Sequence, residues 1–319
     1  CFRDDRIEQT MLEGLQEVHI PQEKYFRNHD GSTQYVFPLT LQPNEIENGS
    51  NSKILLDWLT KNKEQMDTLL RRHQAILFRG FGAVSPLDFN DIVIASGYRG
   101  MEYIGGAAVR TQLAERVFTA NESPPSELIP FHHEMAQTPH PPTHVLFFCE
   151  VAPSEGCGGE TPILPSSEIC RIMFEKHEGF MHKIESTGVR YIRIMPEFDD
   201  PSSAIGRGWR STFNCDTKEA AEVALKSLGS DFEWLPPSES GETGLLKTVT
   251  AVMPAIRVDA GENRSNRKTF FNSLVAAYTG TYGWVESACG CYCTGLIGMA
   301  MIWLIELIAS RTMYILHGF

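Results

Sequence analysis

Residues 130–135 (PFHHEM) constrain the fold of this chain more than any other segment, because they read as extended backbone. In a strand, residues i and i+2 point the same way, with Cα atoms about 6.6 Å apart, two rises of roughly 3.3 Å. His132 and Glu134 would then share one face, whereas a helix would place them on different faces. The segment therefore predicts a strand that brings an imidazole and a carboxylate together.

This pair of side chains is a candidate metal site. Both donors could bind one ion at about 2.0–2.2 Å, and two histidines with one carboxylate form the open site of non-haem Fe(II) oxygenases. His132 and Glu134 would supply two of those three ligands, while His133 should point to the opposite side. The alternative is a structural strand histidine beside a solvated glutamate, because the H-x-E spacing is common by chance.

Composition limits the classes of partner. The 319 residues are 42% hydrophobic and 21% charged, which is typical of a globular protein with one large domain or two modest ones. The net charge of -12 and the pI near 5.3 argue against nucleic acid and anionic membranes as partners. A small-molecule substrate is the better expectation.

The cysteines and the first residues indicate a cellular compartment. The eight cysteines show no disulfide framework spacing, and the opening residues lack the apolar core of a signal peptide. We therefore predict reduced thiols in a cytoplasmic protein. Because the first residue is Cys1, we also expect the sequence to start inside a longer product.

Hydrophobic spacing predicts helices early in the chain and strands later. Helical patterns cover residues 45–72, a segment that starts at Ser85 with Pro86 in the first turn, and residues 167–187. Strand patterns cover residues 75–81, 116–119, 143–149, the residues after the glycine loop 156–161, 191–194 and 251–258. This order predicts an α+β domain built on an antiparallel β-sandwich or barrel.

Several separated motifs resemble one known family. In order, they are residues 121–125 (NESPP), 130–137 (PFHHEMAQ), 158–162 (GGETP), 200–203 (DPSS) with 205–209 (IGRGW), and 271–278 (FNSLVAAY). Together they are similar to the clavaminate synthase-like plant proteins of the TauD/TfdA family over roughly residues 10 to 280. The ordered set is specific, whereas a lone H-x-E would be weak.

The resemblance implies a fold, cofactors and residue roles. It implies a double-stranded β-helix (jelly-roll) core with flanking helices, and Fe(II) and 2-oxoglutarate at its mouth. In such enzymes the H-x-D/E pair, here His132 and Glu134, binds the iron, and the threonine of the G-G-x-T loop, here Thr161, helps to hold 2-oxoglutarate. The implied reaction consumes O2 and couples oxidative decarboxylation of 2-oxoglutarate to hydroxylation or desaturation of a small organic molecule.

The resemblance stops after residue 280. The family's distal histidine and the arginine that pairs with the far carboxylate of 2-oxoglutarate have no secure counterpart, although His317 lies in a similar local context. Residues 281–319 carry few charges, namely Glu286, Glu306 and Arg311. We expect residues 1–280 to form a dioxygenase domain without its last core strands, and 281–319 to be an atypical tail from a gene-model error. A genuine tail would predict weak iron binding and little turnover.

Other interpretations stay open at this level. Thr161 could be an ordinary strand threonine after a glycine turn, and Arg207 could guard a substrate entrance or stack on an aromatic surface. The uncharged stretch 288–305 is barely long enough to span a bilayer, and its glycines and cysteines argue against a membrane anchor. Besides an oxygenase, the chain could be a non-catalytic jelly-roll protein that binds a small molecule, or a zinc-dependent hydrolase.

Overall fold

The computed structural model describes most of the chain between residues 12 and 287. The described residues are 12–27, 34–44, 51–120, 122, 129, 131–154, 157, 161–201, 206–237, 244–258 and 267–274, with the backbone alone for 51 and 283–287. The thirteen strands among them are β1 Leu15–Glu17, β2 Lys24–Arg27, β3 Gln34–Phe37, β4 Leu39–Pro43, β5 Ile76–Phe78, β6 Gln112–Ala114, β7 Val117–Phe118, β8 Val189–Met195, β9 Asp231–Trp234, β10 Leu246–Val249, β11 Ile256–Val258, β12 Lys268–Phe270 and β13 Gly283–Ser287. The seven helices are α1 Asn51–Lys61, α2 Lys63–His73, α3 Pro86–Ala95, α4 Ser166–Lys176, α5 Glu178–Thr187, α6 Trp209–Phe213 and α7 Lys218–Ser227.

The predicted helices are confirmed. The pattern over 45–72 forms α1 and α2, and the pattern over 167–187 forms α4 and α5. Helix α3 starts as its sequence predicts, with Ser85 as N-cap and Pro86 in the first turn. The Ser85 hydroxyl accepts from the Asp88 amide at 3.2 Å, and the Asp88 carboxylate accepts from the Ser85 amide at 3.0 Å. This reciprocal capping box satisfies amides that the first helical turn leaves open.

The strands form two larger sheets and three two-stranded pairs. One sheet has the order β1-β4-β5, and the other has the order β13-β8-β10-β9. Strand β5 runs parallel to β4, while β8 pairs antiparallel with both β10 and β13. Gly188 leads into β8 with a φ of +69°, and a Cβ there would lie 2.6 Å from the Met253 carbonyl oxygen. Only glycine fits this close approach.

Three of the four hydrophobic clusters among the described residues hold these layers together. The first lies between α1, α2, α3 and β4, with Leu39, Leu41 and Trp58 almost fully buried. The second packs α4 and α5 on β8, and the third packs α6 and α7 on β10 around Trp209. No helix within the described ranges is long and apolar enough to cross a membrane.

The jelly-roll prediction is only partly supported. The structure combines helices with sheets, as an α+β domain should, but no sheet among the described strands closes, so a double-stranded β-helix is not confirmed. Strand β13 falls inside the predicted tail and pairs with β8, while residues 288–319 lie outside the described part of the chain. The boundary at residue 280 stays a prediction.

Several strand predictions are wrong. Residues 143–149 form no regular strand, and Val145 and Phe147 are 49% and 47% exposed. Residues 161–165 after the glycine loop also form no strand, and of 251–258 only the last three residues form β11. Apolar and β-branched residues favour strands only where a neighbouring strand pairs with their backbone, and no described strand pairs with residues 143–149.

Candidate functional site

The segment that carries His132 and Glu134 is an irregular stretch that leads into a turn, so the strand predicted here is wrong. Residues 131–133 have no regular structure, and a turn begins at Glu134. The Ala136 amide donates to the His133 carbonyl at 3.2 Å, and Met135 adopts a φ of +53° in the left-handed region. Such a conformation is uncommon for a residue with a side chain, so the surrounding contacts must hold it.

His133 attaches this turn to the protein interior. Its Nδ1 lies 3.0 Å from the Asn272 carbonyl oxygen and its Nε2 lies 2.5 Å from the Ser166 hydroxyl. Because a carbonyl only accepts, Nδ1 carries the proton, and Nε2 accepts from Ser166. Burial lowers the pKa of His133, which favours this neutral tautomer. His133 is therefore bonded to interior groups, while His132 is exposed.

Glu134 is held in place by an ion pair with Arg110. Arg110 places Nη2 at 3.2 Å and 3.1 Å from the two carboxylate oxygens, and both side chains are about one-fifth exposed, 18% and 22%. Arg110 also donates through Nη1 to the Ala120 carbonyl at 2.7 Å. Although burial opposes the charge, Tyr103 and Glu134 hold the pKa of Arg110 above its usual value. The carboxylate is thereby fixed in position.

The Arg110 side chain belongs to a group of cationic residues around Tyr103. The guanidinium carbons of Arg110 and Arg207 lie 4.8 Å and 5.0 Å from the centroid of the Tyr103 ring. Arg193 donates to the Arg207 carbonyl at 2.5 Å. Arg207 thus stacks on an aromatic ring, as one of its two interpretations proposed.

Thr161 is the predicted 2-oxoglutarate residue of the glycine loop. It is exposed and lies in a stretch without helix or strand, and the glycines of its loop, 158 and 159, lie outside the described residues. The structure gives no test of its role with 2-oxoglutarate. That role stays a prediction from the family resemblance.

The donor atoms fit an iron site only in part. His132 and Glu134 offer an imidazole and a carboxylate, the donor types that Fe(II) prefers in open sites. Among the described residues, no group of three His, Cys, Asp or Glu side chains could hold a metal ion. The candidate third ligand His317 lies outside that part of the chain. The assignment of His132 and Glu134 as iron ligands stays a prediction from the sequence.

Three residues of this site were not predicted from the sequence. Arg110, Tyr103 and Arg193 lie in segments without a recognisable motif, and Arg110 meets Glu134 across 24 positions of the chain. Only Arg207, placed between two glycines, had a local pattern that drew attention to it. A buried arginine needs a partner such as a carboxylate, but the burial of Arg110 is known only from the structure, so no signal in the sequence pointed to this pair.

Comparisons with known proteins agree with the motifs. A family model described as "Taurine catabolism dioxygenase TauD, TfdA family" matches residues 36–207. A clavaminate synthase-like protein of Arabidopsis thaliana is 44% identical over 269 residues, which cover 83% of this chain and 76% of that protein. A dapdiamide synthesis protein of Enterobacter agglomerans is 27% identical over 199 residues, 62% of this chain and 57% of that protein.

The range matched by the family model contains the whole candidate site described above except the anchor at Asn272. It includes the irregular segment and turn with His132 and Glu134, the glycine-loop Thr161, and the two arginines that stack on Tyr103. Both the model match and the 44% identity extend over more than half of the chain. This chain therefore belongs to the TauD/TfdA family of dioxygenases, whose members generally use Fe(II) and 2-oxoglutarate.

Proposed function

We propose that this chain is an Fe(II)- and 2-oxoglutarate-dependent oxygenase acting on a small organic molecule. The reaction would couple oxidative decarboxylation of 2-oxoglutarate by O2 to hydroxylation or desaturation of that molecule. The observation that carries the proposal is the family match, whose range includes the turn with His132 and Glu134. On this turn His132 is exposed and Glu134 is held by Arg110. The geometry supports ligand positioning at this turn.

The residues would divide the work as follows. His132 and Glu134 would bind the metal, which supplies the oxidising chemistry when bound. Thr161 would help to hold 2-oxoglutarate. His133 and Arg110 would keep the two ligands in place through Asn272 and the Glu134 carboxylate, because hydrogen bonds to neighbouring groups orient metal ligands.

If residues 281–319 are a genuine tail, we expect turnover by this chain to be low. His132 and Glu134 are then the two candidate ligands, no group of three His, Cys, Asp or Glu side chains among the described residues could hold a metal ion, and the arginine that the family uses for the far carboxylate of 2-oxoglutarate has no secure counterpart in the sequence. Both oxygens of Glu134 already accept from Arg110, so a metal ion would share this carboxylate with a guanidinium group. We therefore expect weak iron binding.

The test measures succinate formed from 2-oxoglutarate under air, with and without added Fe(II). We expect iron-dependent succinate release that His132→Ala and Glu134→Ala both abolish. The matched control is His140→Ala, because His140 is an exposed histidine close by in the same segment. Succinate release that persists without iron, or in His132→Ala, would overturn the proposal, and so would no release at all.

A non-catalytic jelly-roll protein that binds a small molecule is the second candidate. The Arg110–Glu134 ion pair favours it, because this pair is complete without a metal ion. Iron-free protein should then bind its ligand with full affinity, and His132→Ala should leave that affinity unchanged. Ligand binding that requires iron would exclude this candidate.

A further inference from the structure

Two serines from distant segments of the chain contact His133, the residue between the two candidate metal ligands. Ser166 is the first residue of α4, and its hydroxyl donates to His133 Nε2 at 2.5 Å. Ser273 lies shortly after β12, and its hydroxyl donates to the His133 carbonyl oxygen at 3.1 Å. One serine therefore binds the ring of this residue, and the other binds its backbone.

Ser273 is itself held by buried groups on two strands. Its amide donates to the hydroxyl oxygen of Tyr191, a buried residue of β8, at 2.9 Å. The preceding residue, Asn272, is also buried, and its side-chain amide donates to the Ala255 carbonyl oxygen, next to β11, at 3.1 Å. The start of the motif at 271–278 thus forms a rigid support, a role that its sequence did not indicate.

Ser166 connects the turn to the segment that follows the glycine loop. It lies shortly after Thr161, the predicted 2-oxoglutarate residue. The next residue, Ser167, is buried, and its hydroxyl donates to Oε1 of Gln74, the C-cap of α2, at 3.1 Å. Because the start of α4 is held in this way, the hydrogen bond from Ser166 to His133 limits how far the turn can move from that segment.

The backbone of the turn needs such support. Met135 is buried with a left-handed φ of +53°, a conformation that persists only where surrounding contacts impose it. The His133 carbonyl oxygen accepts from the Ala136 amide inside the turn as well as from Ser273. The ring centroids of His133 and Phe271 are 4.6 Å apart. Hydrogen bonds and packing from outside the turn therefore restrict its central residue.

We propose that Ser166 and Ser273 are positioning residues for the His132–Glu134 turn. Both act through His133 and not by contact with a metal ion. A residue that is held at its ring and at its carbonyl also fixes the peptide planes on either side, because peptide bonds are planar. The directions of the two neighbouring side chains are thereby restricted. The inference rests on the proposed function and deepens it, because it assigns roles to two residues outside the metal-binding motif.

Hydrogen exchange tests this role without any metal ion. The full chain is kept in EDTA, and mass spectrometry follows the amides of residues 132–138. Among them, the amides of Ala136 and Thr138 are hydrogen-bonded within the turn, and both residues are buried. We expect Ser166→Ala and Ser273→Ala each to raise the exchange rate of this segment about tenfold, equal to about 1.4 kcal/mol, and to leave α7 unchanged.

Metal binding is the second measurement, with Co(II) alone as the probe. Co(II) binds sites of nitrogen and oxygen donors at least as tightly as Fe(II), and its visible absorption reports its ligands. Loss of the hydrogen bonds that orient ligands typically weakens metal binding about 10–100-fold, so each alanine variant should bind Co(II) at least about tenfold more weakly. Ser166→Thr keeps the hydroxyl and should restore most of the affinity, which a general loss of stability would not predict.

The matched control is Ser96→Ala. Ser96 is a buried serine at the end of α3, and its hydroxyl donates to the Val93 carbonyl oxygen at 2.6 Å, so the variant loses a similar hydrogen bond elsewhere. It should leave the exchange of the turn and the Co(II) affinity unchanged. Circular dichroism checks that each variant folds, and Ser166→Ala decides the outcome if Ser273→Ala does not fold.

Three results would overturn the proposal. They are unchanged exchange of the turn in the folded alanine variants, an equal rise in Ser96→Ala, and Co(II) affinity that the serine substitutions leave unaltered. Failure of the proposed oxygenase function looks different. An unaltered chain that binds no Co(II) would count against the metal site, while hydrogen exchange would still decide the role of the serines. Iron-dependent succinate release with unchanged exchange in the variants would refute the positioning role alone.

Discussion

A buried histidine at the end of α2 should contribute to acid destabilisation of this protein. His73 is only 3% exposed, and its Nδ1 lies 2.8 Å from the Val36 carbonyl oxygen. The carbonyl only accepts, so Nδ1 carries the proton of the neutral ring. Burial lowers the pKa of His73 from 6.5 to about 4. The folded protein therefore resists protonation that the unfolded chain accepts.

The sign and the size of the effect follow from proton linkage. Between pH 6.5 and about 4 the unfolded chain binds a proton at His73 that the folded chain does not bind. The free energy of unfolding therefore falls as the pH drops through this window, and it is fully retained above it. For these two pKa values, the loss between neutral pH and about pH 5 is roughly 2 kcal/mol.

Urea unfolding at about pH 7.5 and about pH 5 measures this loss as the difference between the unaltered chain and His73→Asn. The asparagine amide can still donate to the Val36 carbonyl but does not titrate, so the variant should lose about 2 kcal/mol less on acidification. The control is His182→Asn, because the His182 side chain is 61% exposed and should leave the pH dependence unchanged. Equal losses in the unaltered chain and in His73→Asn would refute the reasoning.

Three further substitutions test the fold by urea unfolding. Ser85→Ala should cost about 1 kcal/mol, because it removes the N-cap of α3, and an unchanged stability would contradict the capping box. Gly106→Ala places a Cβ against the Tyr103 ring and should cost about 1–3 kcal/mol, whereas normal stability would mean that the ring moves aside without cost. Met173→Ala should cost about 2–5 kcal/mol because Met173 is fully buried, and the exposed Val223→Ala should change stability by less than about 0.5 kcal/mol; similar effects of the two would contradict the packing of α4.

Elements with local determinants were predictable from the sequence. Helix α3 depends on Ser85, Pro86 and Asp88, which contact one another within a single turn. Helices α1, α2, α4 and α5 follow from apolar residues at helical spacing. In each case the contacts that decide the structure lie between residues a few positions apart, so the pattern contains the information.

Strand predictions failed where a neighbouring strand was needed to complete the backbone hydrogen bonds. Residues 143–149 have the composition of a core strand, yet their backbone forms no strand and Phe147 is 47% exposed. Strand β8 was predicted correctly because β10 and β13 lie beside it and complete its hydrogen bonds. A strand exists only with a neighbour, and the neighbour is set by chain segments far away.

In the candidate site, too, the sequence determined some features and the tertiary structure determined others. The ordered motifs of the sequence identified the family and selected His132, Glu134 and Thr161, because residue types at fixed spacings carry that information. The tertiary structure alone decided which groups surround them: His133 reaches Asn272 across 139 positions, and Arg110 reaches Glu134 across 24. A buried charge or donor takes its partner from whatever the fold brings within hydrogen-bond distance, and sequence spacing does not encode that distance.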